Sequence, residues 1–542
     1  MLKIKLLRAW FVFLILIVLL LGFGFIQTKK TIQKALDNQI VLLNKTQPLH
    51  LTYDKLELSY LQRSFELTNV VLLQDSSYLD LNKLTPHTLI NSIKVKNFKV
   101  LPLLINKKLD VDEFEVIGLE VVFKKGGLLE KRLTQKTKKK ASSSSRNVLN
   151  QLSISKFKVS DFQIVHFDEK ANDTINALKG DLLVVKDILF TGGPDKKVIS
   201  IKTDDVVFEL DQMSVTYGSI KDKISLSKGI MNLGTGYSKF RNLKLSDLNS
   251  LKKKVSNNTF TKSPGSFDIS MVEVFGLDTS KLFKNFDLMA DSVLIDNAKI
   301  TILKDSNKPW NKSVTKPMPQ QVLRNSNKEF WINKVLIKNS SLNYLEIIND
   351  KEVVINLEDV QSTILNLGTV KSKYNDLESP NIDVTISAKV FKELNFLLNL
   401  KLINPLHSNF FSFNGHTSSF NFESFNPVMV PSSSIKFESG RVLKIDFNGQ
   451  GNETSTKGDF VMRYDNLKTI ILRKDAMLTN KTFSWLANSA VRKENPKNGR
   501  LKTAQIDFNR IPYKGFGNYM VKSIESGLIN SVYPFGKRTR KK

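Results

Sequence analysis

Histidines and paired carboxylates are the residues of this chain that could carry out catalysis or bind a metal ion. The spacing of the histidines matches no metal-binding motif, and no H-E-x-x-H pattern occurs. Asp204 and Asp205 could act as general acid and base, but adjacent residues of a strand point to opposite faces and cannot converge. We therefore predict neither catalytic nor metal-ligating residues. The histidines considered are His50, His87, His166, His407 and His416.

Motifs for nucleotide binding and nucleophilic catalysis are absent from the sequence. It contains no G-x-S-x-G elbow, no Walker loop and no G-x-G-x-x-G fingerprint. The chain has no cysteine, which excludes disulfides, thiolate metal sites and thiol nucleophiles. The sequence thus predicts a protein that is not an enzyme and needs no cofactor. An envelope glycan hydrolase is the least favoured alternative, because it would need two convergent carboxylates.

Length and charge limit the fold and the partners. A chain of 542 residues exceeds one compact core, which favours several domains or an elongated repeat architecture. The net charge of +29 attracts polyanions. However, the lysines are spread singly along alternating strand positions, with small clusters only at 136–140 and 537–542. This distribution is typical of solvated strand faces and argues against nucleic acid.

An apolar segment close to the N-terminus predicts a membrane anchor. Residues 9–26 read AWFVFLILIVLLLGFGFI, about 18 residues that cross most of a roughly 30 Å hydrocarbon core. Basic residues flank both ends, so the charge bias only weakly favours a cytoplasmic N-terminus, but a short tail before an early helix is the signal-anchor arrangement. A cleaved signal peptide is the alternative. The predicted anchor residues are Trp10, Phe11, Phe13, Leu14, Ile17, Leu20 and Phe23.

Beyond about residue 50, apolar and polar residues alternate with period two between Asn, Asp, Gly and Ser. This pattern predicts antiparallel-type strands with one apolar and one solvated face. Helical periodicity is limited to 31–43, 483–491 and the C-terminus. The predicted fold class is therefore mainly β with few short helices.

The chain also contains an internal repeat. The segment VKNFKVLPLLINKKLDVDEFEVIGLEVVF from Val95 aligns without gaps to VFGLDTSKLFKNFDLMADSVLIDNAKITI from Val274, about 179 residues later. After each copy a polar insert follows, which we predict to be a flexible loop. Beyond the inserts, QLSISKFKVSDFQIVHF from Gln151 corresponds to FWINKVLIKNSSLNYLE from Phe330. Two tandem β repeats are therefore expected.

These repeats and the C-terminal region resemble the AsmA-like proteins of bacterial envelopes, relatives of the repeating-β-groove, bridge-like lipid-transfer proteins. SSFNFESFNPVMVPSSSIKFESGRVLKIDFNG (418–449) and KGDFVMRYDNLKTIIL (457–472) are similar to that family's closing segment, with an F-N-P turn, an S-G strand start and a Y-x-x-L-K strand pair. The resemblance covers nearly the whole chain in pattern rather than in diagnostic motifs. It implies an elongated, curved, taco-shaped antiparallel sheet with an apolar concave face, anchored in the inner membrane, lying in the periplasm and serving outer-membrane lipid homeostasis or assembly.

On this basis the apolar strand faces are expected to bind or conduct lipid. At about 0.8 kcal/mol per CH₂, a two-chain lipid needs roughly 20 kcal/mol of apolar cover to leave a bilayer. The same faces could instead close on each other as a sandwich core, and the protein would then be an envelope scaffold or assembly factor. The candidate lipid-groove face comprises Leu119, Val121, Phe123, Met213, Val215, Tyr217, Phe460, Met462 and Tyr464.

The C-terminal segment from Lys514 predicts an amphipathic helix followed by a basic tail. Two interpretations remain open. The helix could cap the last strands of the sheet, or it could lie in an anionic membrane surface, where each nearby cation adds about 1 kcal/mol. In the second case the membrane contacts would be Phe516, Tyr519, Met520, Ile524, Leu528, Lys537 and Arg538.

The predicted partners are membrane lipids, anionic phospholipid in particular, with unidentified envelope proteins and without nucleic acid. The predicted domain order is an N-terminal tail (1–8), the anchor (9–26), a membrane-proximal helix (27–48), β repeat 1 (50–190, insert 131–147), β repeat 2 (210–367, insert 304–320), an AsmA-like β region (380–515), and the amphipathic helix with its tail (516–542).

Overall fold

A computed structural model shows a mainly β chain that divides into two compact units, Met1–Asn242 (unit 1) and Leu243–Lys542 (unit 2). In each unit the strands are mostly antiparallel and the helices few and short, which confirms the predicted fold class. The structure describes residues 33, 34, 36–38, 40, 41, 44, 49–59, 62–74, 85–99, 108–125, 151–168, 173–193, 196–202, 206–217, 222–245, 248–378, 380–433, 435–472 and 491–533.

Among the described pairings from β1 to β10, only that of β5 with β6 is parallel. Strands β1 and β2 both pair with β3, and β3, β4 and β5 follow as antiparallel neighbours. Strands β5 and β6 are parallel, β7 returns antiparallel, and β9 joins β7 to β10. The strands are β1 (Leu49–Thr52), β2 (Lys55–Ser59), β3 (Ser64–Gln74), β4 (Thr85–Lys99), β5 (Lys108–Lys125), β6 (Gln151–Asp168), β7 (Asp173–Gly193), β8 (Lys196–Lys202), β9 (Val207–Tyr217) and β10 (Asp222–Asn232).

The chain passes into unit 2 within β11 (Ser238–Leu245). In unit 2, β12 and β13 are antiparallel, β13 and β14 are parallel, and the strands from β14 to β18 continue antiparallel. Strand β20 pairs with β18, and β21 and β22 complete the order. The strands are β12 (Gly265–Phe275), β13 (Leu288–Asp305), β14 (Phe330–Ile348), β15 (Lys351–Gly368), β16 (Asn381–Val390), β17 (Leu394–Ile403), β18 (Phe411–Thr417), β19 (Phe420–Asn421), β20 (Ile435–Gly451), β21 (Ser455–Ile471) and β22 (Ala504–Asn509).

Short helices connect or cover the strands of unit 2. The longest that the structure describes, α6, spans Phe516–Val532 and contacts β21 and β22. A 3₁₀ turn, Phe422–Phe425, precedes α5. The other helices are α1 (Leu248–Asn257), α2 (Thr279–Asn285), α3 (Pro319–Arg324), α4 (Lys371–Asn375) and α5 (Asn426–Ser433).

The two segments that the sequence aligns have the same strand arrangement. The parallel pairing starts at Lys108 and Gln151 in unit 1, and at Leu288 and Phe330 in unit 2. Left-handed backbone also recurs at the corresponding places, Asn97 and Gly118 in the first segment, and Gly276 and Asn297 in the second. Asn and Gly tolerate this conformation best. A single left-handed residue shifts the alternation of the strand by one, as at a β-bulge.

The core of unit 1 lies against one face of β1–β6. The described residues among 33–44 are helical, and Leu36 and Ile40 pack against this core. Val116 and Leu119 contact the same cluster although they are three positions apart, because the left-handed Gly118 lies between them.

The segment 304–320, expected to be a flexible insert, is packed in the structure. Its first two residues complete β13, and Met318 and Gln320 are fully buried. The Lys308 ammonium donates to three carbonyls at the end of α1, from Val255, Ser256 and Asn258, at 2.6–2.9 Å. The expectation of a free loop is therefore wrong here, because buried side chains and helix capping hold the segment.

Several expectations fall on residues outside the described ranges. These are the apolar segment 9–26 with its anchor residues, the insert 131–147, all but the last residue of the helix predicted at 483–491, and the basic tail with Lys537 and Arg538. Within the part of the chain that the structure describes, no helix is both long and apolar enough to cross a membrane.

Candidate functional site

The sheet of unit 1 carries one continuous apolar face, which we call the unit 1 apolar face. Cross-strand partners point to the same side of a sheet, so paired residues form rows across the strands. Because eight strands have seven spacings of about 4.8 Å, a row from β2 to β10 is about 34 Å long. That row is Leu58, Phe65, Val95, Phe114, Phe157, Val185, Phe208 and Met231.

Two further rows extend this face along the strands. One contains Leu67, Ile93, Val116, Val159, Leu183 and Leu210. The other contains Val121, Ile164, Leu178, Val215 and Ile224.

Burial changes along the unit 1 apolar face. In the row from Leu58 to Met231, the central side chains are covered, and Val95 and Phe114 are at most 1% exposed. In the row through Val121 every side chain is at least partly accessible, and Val215 on β9 is 39% exposed. The part of the face around the Val121 row therefore presents apolar surface to its surroundings.

The opposite face of the same strands carries ion pairs. Glu113, next to the buried Phe114 on β5, accepts from Lys158 on β6 and Lys96 on β4, both at 2.7 Å. Hydrogen bonds from Lys158 and then Lys96 lower the pKa of Glu113 to about 2. Lys186 on β7 and Glu209 on β9 form another pair on this side. The sheet of unit 1 thus has one apolar and one charged face.

The structure brings two of the three predicted groove groups together. Val121 is joined to Val215 through Ile164 and Leu178, each the Cα partner of the next. Ile164 and Leu178 were missed by sequence reasoning. The signal that could have identified them is the alternation of β6 and β7. The residues brought onto this face are Leu119, Val121, Phe123, Met213, Val215 and the backbone position of Tyr217.

The third predicted group, on β21, does not form an accessible face. Phe460, Met462 and Tyr464 are at most 1% exposed and belong to the core of unit 2. A Cβ on Gly527 of α6 would meet Phe460 at 2.6 Å, so the helix lies directly on this strand. Their assignment to a lipid face is therefore wrong, because protein covers this face: α6 lies on Phe460, and Tyr464 packs against the Phe422 ring and donates its hydroxyl to the carbonyl of Arg492.

The C-terminal helix packs on the sheet, which was one of its two open interpretations. Tyr519 is 1% and Met520 7% exposed. Phe516, Ile524 and Leu528 pack against the same core. The Ser523 hydroxyl is 2.7 Å from that of Thr456 on β21. Tyr519 and Met520 are consequently not available to a membrane surface, and their assignment is corrected, whereas Phe516, Ile524 and Leu528 are half-buried.

Unit 2 has its own apolar face, which continues beyond the strands covered by α6. One row contains Val274, Val293, Val335, Ile364, Val384, Leu400 and Phe413. Another contains Phe267, Ile300, Leu342, Leu357, Val390 and Leu394. In the second row Ile300 is 38% exposed. We call these two rows the unit 2 apolar face.

No arrangement for metal binding is found within the described ranges, where no three His, Asp or Glu side chains cluster. The Asp204 and Asp205 pair lies outside those ranges. In comparisons with known proteins, no protein-family model and no curated protein matches this chain.

Proposed function

We propose that this protein binds or conducts membrane lipid, holding acyl chains against the unit 1 apolar face. The observation that carries the proposal is the accessible row of this face, Val121, Ile164, Leu178, Val215 and Ile224, on a sheet whose other face is ion-paired. Its five strands have four spacings of about 4.8 Å, so the row is about 19 Å long. That length exceeds half of the roughly 30 Å hydrocarbon thickness of a bilayer, which is the depth that one acyl chain spans.

The wider setting is part of the same proposal. Residues 9–26 anchor the chain in the inner membrane, the body lies in the periplasm, and each of the two β repeats carries a lipid-binding apolar face that serves outer-membrane lipid homeostasis or assembly. The recurring parallel strand pair and left-handed positions support the repeats. The resemblance to AsmA-like proteins supports the location. No catalysis and no cofactor is proposed.

A scaffold that binds no lipid is the second candidate. The observation that favours it is the burial of Phe460, Met462 and Tyr464, because in unit 2 an alternating strand face of the same kind is fully covered by protein. If the unit 1 apolar face were covered in the same way by a protein partner, lipid would have no access to it.

Photocrosslinking can separate the two candidates, because Val121 and Val122 are adjacent valines on opposite faces of β5. Val121 pairs with Ile164, and Val122 with Val165. A photoreactive amino acid at Val121, in the full-length protein in cell membranes, should capture phospholipid detectable by mass spectrometry. The same residue at Val122 should capture little. Equal capture at both positions, or capture of protein alone at Val121, would contradict lipid binding on this face.

A further inference from the structure

Unit 2 holds a cluster of lysines around one tryptophan, which we call the Trp310 cluster: Lys304, Trp310, Glu346 and Lys514. The ammonium groups of Lys304 and Lys514 lie 5.4 and 5.1 Å from the centroid of the Trp310 ring. Both distances are within the range of cation–π contacts. Trp310 also packs against Tyr513, with 6.1 Å between ring centroids.

The charges in the Trp310 cluster do not balance. Lys304 pairs with Glu346 at 2.5 Å, and both side chains are less than one-fifth exposed. Ser306 also donates to that carboxylate. Lys514 is half-buried, yet within the described ranges no carboxylate lies within 4 Å of its ammonium. Burial, then the charges of Lys304 and Lys522, lower the pKa of Lys514, while the charge of Glu346 opposes this shift. A partly desolvated cation without a directly paired carboxylate is unfavourable, and a bound anion would relieve it.

The cluster lies at one end of the unit 2 apolar face. Lys304 on β13 is paired with Glu346 on β14. Two residues before them on the same strands is the pair Ile302 and Tyr344, and two residues before that is the pair Ile300 and Leu342. Alternate residues of a strand share a face, so this side of the sheet changes from apolar to cationic along its strands. Trp310 and Lys514 are both half-buried, so part of each side chain remains accessible.

We propose that the Trp310 cluster binds a phosphate group, that of a lipid whose acyl chains lie on the unit 2 apolar face. The inference rests on the proposed lipid binding and adds the chemistry of the headgroup. Lys514 supplies a charge-assisted donor to the phosphate oxygens, and Lys304, held in place by Glu346, supplies the second positive charge. Because only the ammonium form binds, affinity should fall as the pH rises through the lowered pKa of Lys514.

The test uses the full chain in neutral detergent and three soluble probes: dihexanoyl phosphatidate, dihexanoylglycerol and inorganic phosphate. Binding is followed by calorimetry and by tryptophan fluorescence, with Trp310→Phe identifying the signal of this ring. Lys514→Gln removes the charge, and Lys514→Arg retains it. Lys444→Gln is the matched control, because Lys444 pairs with Asp446 on β20, away from the cluster.

We expect Lys514→Gln to weaken phosphatidate binding about tenfold, while Lys514→Arg and Lys444→Gln stay close to the parent protein. Dihexanoylglycerol should bind more weakly and respond to none of the substitutions. If inorganic phosphate binds as well as phosphatidate and shows the same tenfold loss, the cluster is a phosphate site whose ligand is free phosphate.

Equal phosphatidate affinity in Lys514→Gln and Lys444→Gln would overturn the headgroup assignment. Lipid capture at Val121 then separates the two proposals, because that position belongs to unit 1. Capture with no effect of Lys514 rejects the headgroup site alone. Absence of capture together with absence of binding by any lipid probe rejects both.

Discussion

Neighbouring residues on a strand have opposite environments in this protein, and Glu113 and Phe114 on β5 are an example. Phe114 is 1% exposed in the apolar core, whereas Glu113 accepts hydrogen bonds from Lys96 and Lys158 on the other face. The alternation of side chains sets this difference, and the ion pairs across β4, β5 and β6 follow from it.

The ionised form of Glu113 should make stability depend on pH. Its pKa is lowered from 4.5 to about 2, so its contribution is complete above the ordinary carboxyl pKa and is lost as the pH falls through about 2. We expect Glu113→Gln to weaken amide hydrogen-exchange protection of β4–β6 at pH 7, and the difference from the parent protein to shrink towards pH 3. Glu352→Gln, at an exposed position of β15, is the control. A difference that does not change with pH would contradict the assignment.

At the level of secondary-structure elements, the described helices act mainly as covers for apolar strands. In unit 2, α6 lies on β21 and β22, and buried Ser523 and Tyr519 face the sheet. Lys502, itself 4% exposed, donates to the carbonyls of Asn530 and Tyr533, both at 2.6 Å, at the C-terminal end of α6. A cation at this position satisfies carbonyls that the helix leaves unpaired.

Two glycines of α6 should respond to substitution in opposite directions. Gly527→Ala would place a Cβ 2.6 Å from Phe460, so the helix must shift, and overpacking of this kind costs about 1–3 kcal/mol. Gly517→Ala meets nothing within 4 Å and should stabilise the helix by about 0.5–1 kcal/mol. The free energy of unfolding of both variants is measured by urea denaturation, together with the amide hydrogen-exchange protection of β21 and β22. Equal effects would mean that α6 does not rest on Phe460.

At the scale of the whole molecule, the proposal requires that the body lies on the far side of the membrane to which the N-terminus is anchored. The proposal assigns the apolar segment 9–26 as a signal anchor, which exports the part of the chain that follows it. The ion-paired strand faces of both units are suited to an aqueous compartment.

Protease accessibility tests this topology. Protease added to cells with a permeabilised outer membrane should degrade the chain beyond about residue 40 and leave the anchor in the membrane fraction. A cytoplasmic marker protein must stay intact in the same sample. A protected body, or a body released in soluble form without the anchor, would contradict the predicted orientation or the uncleaved anchor respectively.

The sequence by itself determined the β class and the two-faced strands, because the alternation of apolar and polar residues is a local property. It also grouped Leu119, Val121 and Phe123 on one side of β5. The local pattern does not determine which strands become neighbours. The parallel pairs β5–β6 and β13–β14 form across a long connection, and the first of them brings Ile164 next to Val121.

Only the tertiary structure decided which apolar faces stay accessible. Val121 and Phe460 lie in similar alternating strands, yet Phe460 is 0% exposed and Val121 half-buried. The difference comes from α6, whose Gly527 contacts Phe460 from 67 residues further along the chain. Period-two alternation shows that one face of a strand is apolar. The alternation has the same form whether that face contacts a helix, another protein or a lipid, so it cannot identify the contact. The Trp310 cluster could not be predicted from the sequence either, because Lys304 and Lys514 come together only in the folded unit 2.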